Sequence, residues 1–204
     1  ILNEFNNKSF EMLQNKKISI VGMGGIGCPI AQYLISSGIK NLNFFDKDII
    51  KKNNLNRQIL FNINDLNKKK TIVAKQKLLQ INPHANICEY SENITNQNIE
   101  KIRDSSIIID ASDNWQTMKL VNEYASKKNI PLLSCSVTGF DIQLILFKNI
   151  KKQHLCLECI FPNKNEPNLA RCDTVGILGT TAGLAGTIAA QKIINFLMNF
   201  NENN

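Results

Sequence analysis

The run Ile18-Ser19-Ile20-Val21 passes directly into Gly22-Met23-Gly24-Gly25-Ile26-Gly27, and no other feature constrains the fold of this chain as strongly. An apolar strand can turn tightly into a helix only where glycine removes the side chain from the points of closest approach. A glycine loop alone is a weak signal, because such loops also arise for steric reasons. Here it sits between a predicted strand and a predicted helix. About 20 residues on, a second apolar run, Leu42 to Phe45, ends in Asp46, where a carboxylate can accept from ribose hydroxyls. Together they describe a βαβ nucleotide-binding unit. Gly22 serves the turn, Gly24 with Gly25 the approach of backbone to phosphate, and Gly27 the helix–strand contact.

The rest of the chain alternates strand and helix. Strands are predicted at Ile18–Val21, Leu42–Phe45, Ile87–Tyr90, Ser106–Asp110 and Pro131–Ser136. Helices are predicted over Ile26–Ser37 with Gly38 as its stop, Lys70–Ile81 closed by Asn82-Pro83, and Asn114–Lys128. After Gly139, Asp141–Phe147 reads as a strand lying antiparallel at the far side of the sheet. Residues Gln153 to Asp173 show no periodicity and read as a loop. Gly176 to Met198 is a final helix rich in glycine and alanine, which can approach a neighbouring backbone closely. The expected fold is therefore α/β: a Rossmann-like, doubly wound, mainly parallel sheet with antiparallel strands on the far side. Residues 1–204 are expected to form one domain, since 204 residues suit one core and no linker or repeat interrupts them.

The residues after Asp46 and Asp48 separate the chemical classes. Asn54, Arg57 and Gln58 follow closely, and Lys70 opens a helix. An arginine fork and a lysine point charge are natural partners for a polyphosphate. A nicotinamide-dependent dehydrogenase, the rival reading, needs neither for hydride transfer. Asp110-Ala111-Ser112-Asp113-Asn114 ends the fourth strand, where α/β sheets place ligands. Asp113 is the candidate Mg²⁺ ligand, neutralising phosphate charge through the ion. Asn114 or Asp110 is the candidate helix cap.

Net charge is +7, but the lysines fall in short groups such as Lys51-Lys52 and Lys68-Lys69-Lys70, with no aromatic-interleaved basic run. Nucleic acid is therefore not an expected partner, whereas anionic nucleotides or acidic protein surfaces are. Gln191, Lys192 and Asn195 break the last apolar stretch, which argues against a membrane span. Six cysteines without a disulfide-scaffold pattern fit a reducing cytoplasm. The chain starts at Ile1 without an initiator Met, so it is expected to be part of a longer product.

Taken together, the glycine turn, Asp46-x-Asp48, Asn54-Leu55-Asn56-Arg57-Gln58, Lys70, Ile81-Asn82-Pro83-His84 and Asp113-Asn114 resemble the ubiquitin-activating superfamily. More narrowly, they resemble its ThiF/MoeB/HesA-type adenylyltransferases, over nearly the whole chain and in the same order. The resemblance implies a homodimeric enzyme that binds MgATP and a ubiquitin-like sulfur carrier of thiamine or molybdopterin synthesis. The carrier's C-terminal Gly-Gly carboxylate attacks the α-phosphate, giving an acyl-adenylate and pyrophosphate. By position, Asp46 would take the ribose, Asn54, Arg57 and Lys70 the phosphates, and Asp113 the magnesium. Adenylation of a peptide or of a tRNA-linked carboxylate is the alternative within the same fold.

The same resemblance makes Cys156 and Cys159 half of a structural zinc site, with His154 as a possible substitute ligand. It places Cys172 at the family's crossover-loop cysteine, which in some relatives joins covalently to the carrier. Arg171 beside it would favour the thiolate. The family's arginine-bearing segment, which reaches across the dimer to the partner's ATP, falls ahead of Ile1.

Overall fold

A computed structural model of the chain describes residues 7–148, 157–161 and 176–198. The strands are β1 (Lys17–Val21), β2 (Asn41–Phe45), β3 (Asn86–Tyr90), β4 (Ile107–Asp110), β5 (Leu132–Thr138) and β6 (Asp141–Phe147). The helices are α1 (Asn7–Gln14), α2 (Gly27–Ser36), α3 (Lys70–Ile81), α4 (Trp115–Lys128), α5 (Leu157–Ile160) and α6 (Gly179–Leu197). One sheet runs in the order β3-β2-β1-β4-β5-β6. Strands β1 to β5 are parallel, with Ile20 opposite Phe44 on one side and Ile109 on the other. Strand β6 is antiparallel to β5 through a two-residue turn that places Thr138 opposite Asp141. Among the described residues it is the sheet's one antiparallel strand. The strand order reverses between β1 and β4, which opens a crevice at the carboxyl ends of the strands.

Alternating faces of the strands supply two cores. Ile18, Ile20, Phe44, Ile107 and Ile109 meet Leu34, Val73, Leu78 and Ile193 from α2, α3 and α6. Val21, Phe45 and Ile108 meet Val121, Tyr124 and Ala125 from α4 on the other face. Helices on both faces explain why β4 is a continuous β-branched run, fully buried, instead of an alternating one.

Helix boundaries follow local chemistry. Helix α3 spans the predicted residues, and Asn82, forced out of helical backbone ahead of Pro83, closes it with its amide donating to Leu78 O at 3.0 Å. Helix α2 ends at Gly38 (φ +97), a left-handed stop that lets Ile39 donate to Leu34 O. Helix α4 is capped by Asn114, whose Oδ1 accepts from the amides of Gln116 at 2.9 Å and Thr117 at 3.1 Å. Its far end turns through Asn129, also left-handed at φ 56.

Two differences from the sequence reading stand out. Helix α6 begins at Gly179, three residues after the predicted Gly176, because Gly176 has φ +75 and Ile177 bridges Gly139. Within the predicted loop, α5 forms one helical turn, fixed by the buried Leu157, whose amide donates to Asn122 Oδ1 at 3.0 Å.

Phe44 lies at 0 % exposure in the centre of the larger core. Phe44→Ala is expected to cost about 3–5 kcal/mol, through lost transfer energy and the cavity left behind. Urea unfolding monitored by circular dichroism measures it, and a loss under 1 kcal/mol, the scale of a single methylene, would mean the core is loosely packed there.

Candidate active site

Strand β1 delivers the chain to Gly22, whose amide donates to Phe45 O at 2.8 Å and so ties the turn to the end of β2. Its φ is +98, and a Cβ there would lie 2.5 Å from Ala111 O, so two independent reasons demand glycine. A Cβ on Gly27 would overlap Gly22 O, which seats α2 directly on the turn. Gly24 differs. Its nearest neighbour among the described residues would be Gln58 Nε2 at 4.0 Å, so packing among them does not require glycine there. What a side chain would fill is the cleft itself. Helix α2 has Ile26 at its N-cap with no side-chain hydrogen bond; Cys28 N donates to Gly24 O at 3.1 Å and Pro29 carries no N–H, so what this end offers an anion is chiefly the positive end of the helix dipole.

Asp46 closes the other side of the turn. Its Oδ2 accepts from Met23 N and its Oδ1 from Asp48 N, both at 2.8 Å. Lys70, 5 % exposed at the start of α3, is aimed at the same spot. Its ammonium stands 2.9 Å from Asp48 Oδ2 and 3.7 Å from Asp46 Oδ2. Partial burial opposes ionisation of Asp48, but the hydrogen bond and charge of Lys70 outweigh it and hold its carboxyl below the ordinary range. The segment returns to α3 as a short ladder in which Ile50 N donates to Lys68 O and Lys70 N to Asp48 O.

Arg57 reaches the cleft from the loop between β2 and α3. Its Nη1 donates to Asn53 O at 2.9 Å and Asn56 Oδ1 at 3.1 Å, which fixes the guanidinium. Asn54 is buried, with Oδ1 accepting from Lys51 N at 3.0 Å, so it shapes this loop. Gln58 is 3 % exposed and its Oε1 has no partner among the described residues. Asp113 and Asn114 face the same space from the turn after β4. The cleft has a volume of about 420 Å³, and Gly22, Gly24, Gly25, Asp46, Asp48, Asn54, Arg57, Gln58, Lys70, Asp113 and Asn114 all line it. Gly27 acts beneath it.

Of the remaining predicted residues, Cys159 is exposed on α5. Cys156, Cys172, His154 and Arg171 lie outside the described residues. Among the described residues no three His, Cys, Asp or Glu side chains converge as a metal cage. With Cys156 and His154 outside those residues, no chemical step is assigned to zinc. The cleft does fit Mg²⁺, which commonly takes one or two carboxylates and completes its shell with water and phosphate; exposed Asp113, facing the cleft, offers one. No helix among the described residues is long and apolar enough to cross a membrane.

The cleft also contains residues that the sequence reading did not single out. Glu92, Asn93 and Ile94 follow β3, Ser136 to Thr138 end β5, and Trp115 and Met118 face in from α4. The rule that ligands sit beyond the carboxyl ends of parallel strands pointed to the first two groups.

Asp110, 1 % exposed at the end of β4, holds the Asp113 turn from below. Its Oδ1 accepts from Ser112 Oγ at 2.6 Å and Ser112 N at 3.1 Å, while Oδ2 has no partner among the described residues. Burial pushes its pKa up to about 6 from an ordinary 3.8, against the pull of the two Ser112 bonds and with some help from the charge of Asp113. The folded state thus binds the proton more tightly than the unfolded one, so stability falls as pH rises from about 4 to 6 and stays lower above.

The ThiF family model matches residues 1–204. The chain belongs to the ThiF family. It is an adenylyltransferase of the ThiF/MoeB type, as the names of its relatives indicate. It is 31% identical over 188 residues to the sulfur carrier protein ThiS adenylyltransferase of Escherichia coli, covering 92% of this chain and 74% of that one. It is 35% identical over 200 residues to the adenylyltransferase and sulfurtransferase MOCS3 of Drosophila virilis, covering 97% of this chain and 44% of that one. Among solved structures it superimposes on E. coli MccB with ATP at a TM-score of 0.82 and 26% identity, covering 95% of this chain and 60% of MccB. The ThiF-family chain therefore spans about half to three quarters of the length of these relatives.

Asp110→Asn keeps an acceptor for Ser112 and cannot ionise. It is expected to raise stability at pH 7 by up to about 3 kcal/mol, the equivalent of two pKa units, and to be neutral near pH 4. Chemical denaturation at both pH values checks this; a gap independent of pH would contradict it.

Proposed function

We propose that residues 1–204 form one ATP-binding domain that adenylates the C-terminal Gly-Gly carboxylate of a ubiquitin-like sulfur carrier, working as a homodimer. The observation that carries this reading is the convergence of Arg57, Lys70 and Asp113, from three separate segments, on the cleft above the glycine turn. Two cations and a carboxylate at that place suit MgATP. A dehydrogenase would leave all three idle.

The chemistry asks little covalent work of the protein. A carboxylate oxygen of the carrier bonds to the α-phosphorus, the bond from that phosphorus to the α,β-bridging oxygen breaks, and pyrophosphate leaves with the electron pair. No proton transfer is needed, because the nucleophile is already ionised. Catalysis is then positioning and charge stabilisation. The amides of the turn from Gly24 to Gly27 and the positive end of the α2 dipole receive phosphate. Asp46, fixed by Met23 and Asp48, accepts from the ribose. Arg57 and Lys70, with Asn54 and Gln58, take the phosphate oxygens on which charge accumulates. Asp113 holds the Mg²⁺, which when bound neutralises phosphate charge. Asn114 holds the turn beside it by capping α4.

The likeness to the ThiS adenylyltransferase supports a ThiS-type carrier as acceptor, for thiamine or molybdopterin synthesis. Cys172 is assigned to the later sulfur-transfer step and not to adenylation. The test is pyrophosphate exchange into ATP with a ThiS-type carrier, compared with the same carrier lacking its last glycine. Exchange is expected with the first only. Asp113→Ala is expected to reduce it at least roughly a hundredfold with the fold intact, the usual scale for removing a charge-stabilising group; unchanged exchange would remove Asp113 from the site. Cys172→Ala should leave exchange within twofold while sulfur incorporation into the carrier fails, and loss of exchange itself would move Cys172 into the adenylation step.

A further inference from the structure

The N-terminal turn of α6 bears on the loop that carries Arg57. A Cβ on Gly179 would overlap the carbonyl oxygen of Asn56 and lie 3.3 Å from its carbonyl carbon and 3.4 Å from the Cα of Arg57. One turn on, Ala182 closes the same junction. A Cβ on Gly25 would lie 3.0 Å from the Ala182 methyl, 3.4 Å from Arg57 O and 3.5 Å from Arg57 Cγ. Arg57 is thus held between the glycine turn and α6, while its guanidinium is tied back to Asn53 and Asn56. The start of α6 is itself anchored, because Ile177 bridges Gly139 at the end of β5 and Thr181 N donates to Leu178 O at 3.0 Å.

The general richness of α6 in small residues does not account for this contact. Gly183, four residues on in the same helix, has no atom of the described residues outside its own helix backbone within 4 Å of where its Cβ would stand. One glycine is required by a neighbouring backbone and the other is not, and the backbone concerned belongs to the arginine assigned to phosphate.

We propose that Gly179 is a positioning residue for Arg57. By letting α6 close onto Asn56–Arg57, it sets the distance from the guanidinium to the phosphates of ATP. This deepens the reading given above and rests on Arg57 being a phosphate ligand. The effect passes through the loop, since Gly179 does not line the cleft.

The test is equilibrium binding of ATP and of adenosine, which lacks every phosphate, to the full chain and to Gly179→Ala, Gly183→Ala, Arg57→Ala and the Gly179→Ala/Arg57→Ala pair. Gly179→Ala is expected to weaken ATP about tenfold, the scale of one lost charge-assisted contact, and adenosine less than twofold. Gly183→Ala should change neither. The pair should bind ATP no more weakly than Arg57→Ala alone, because both changes remove one interaction. Additive losses, or equal losses for ATP and adenosine, would overturn the proposal. If the unaltered chain binds ATP no better than adenosine, the phosphate role of Arg57 falls, and the proposal with it. Should Gly179→Ala not fold, amide hydrogen exchange on the unaltered chain decides. ATP, and not adenosine, should slow exchange in the first turn of α6, and equal slowing or none would contradict the proposal.

Discussion

The architecture depends on the turn from β1 into α2, where backbone replaces side chain at three points of contact. Gly22 sits at φ +98 with Ala111 against it, Gly27 stacks on Gly22 O, and the Gly22 amide is bound to the end of β2. A methyl group at either glycine would push apart β1, β4 and α2, the elements that flank the reversal of strand order. The same closeness that packs the turn leaves Gly24 bare toward the cleft. Packing and ligand access are therefore two consequences of a single backbone path.

Charge is arranged around that path in a graded way. Lys70 is nearly buried and already paired with Asp48 and Asp46, so it is pre-oriented, with little side-chain freedom left to lose on meeting a phosphate. Arg57 is held by neutral carbonyl oxygens and keeps its full charge for a ligand. Asp113 stands in the open, where a hydrated cation can reach it. Asp110, beneath it, is kept out of water, and its burial makes ionisation costly. Two carboxylates three residues apart thus differ in burial, one open to the cleft and one sealed beneath the turn.

The parts legible in the sequence were those with one strong local cause. The ends of α3 could be read because Asn82-Pro83 forbids continuation, and β4 because a β-branched run has few other uses. The candidate residues Asp46, Arg57, Lys70 and Asp113 stood out as a set, and the fold brings them to one cleft. Helix α1 was not, because Leu13, its fully buried residue among those described, is held by tertiary contact. The start of α6 moved to Gly179 through pairing of Ile177 with Gly139, an interaction between residues far apart in sequence. The choice between Asn114 and Asp110 as cap also needed coordinates. Asp110 instead spends its Oδ1 on Ser112, which leaves the cap to Asn114. The residues lining the cleft after β3 and β5 lacked any motif and were visible only through topology.

On the proposed reading this cleft takes ATP and not a nicotinamide dinucleotide. The most direct measurement is thermal unfolding of the chain with ATP or with NAD(H), each with and without Mg²⁺. A ligand at 100 times its dissociation constant stabilises the native state by about 2.7 kcal/mol, a shift of several degrees for a domain of this size. The account predicts a Mg²⁺-dependent rise with ATP and none with NAD(H). A rise with NAD(H) and none with ATP would contradict it, and would leave Arg57 and Lys70 without a role in the site.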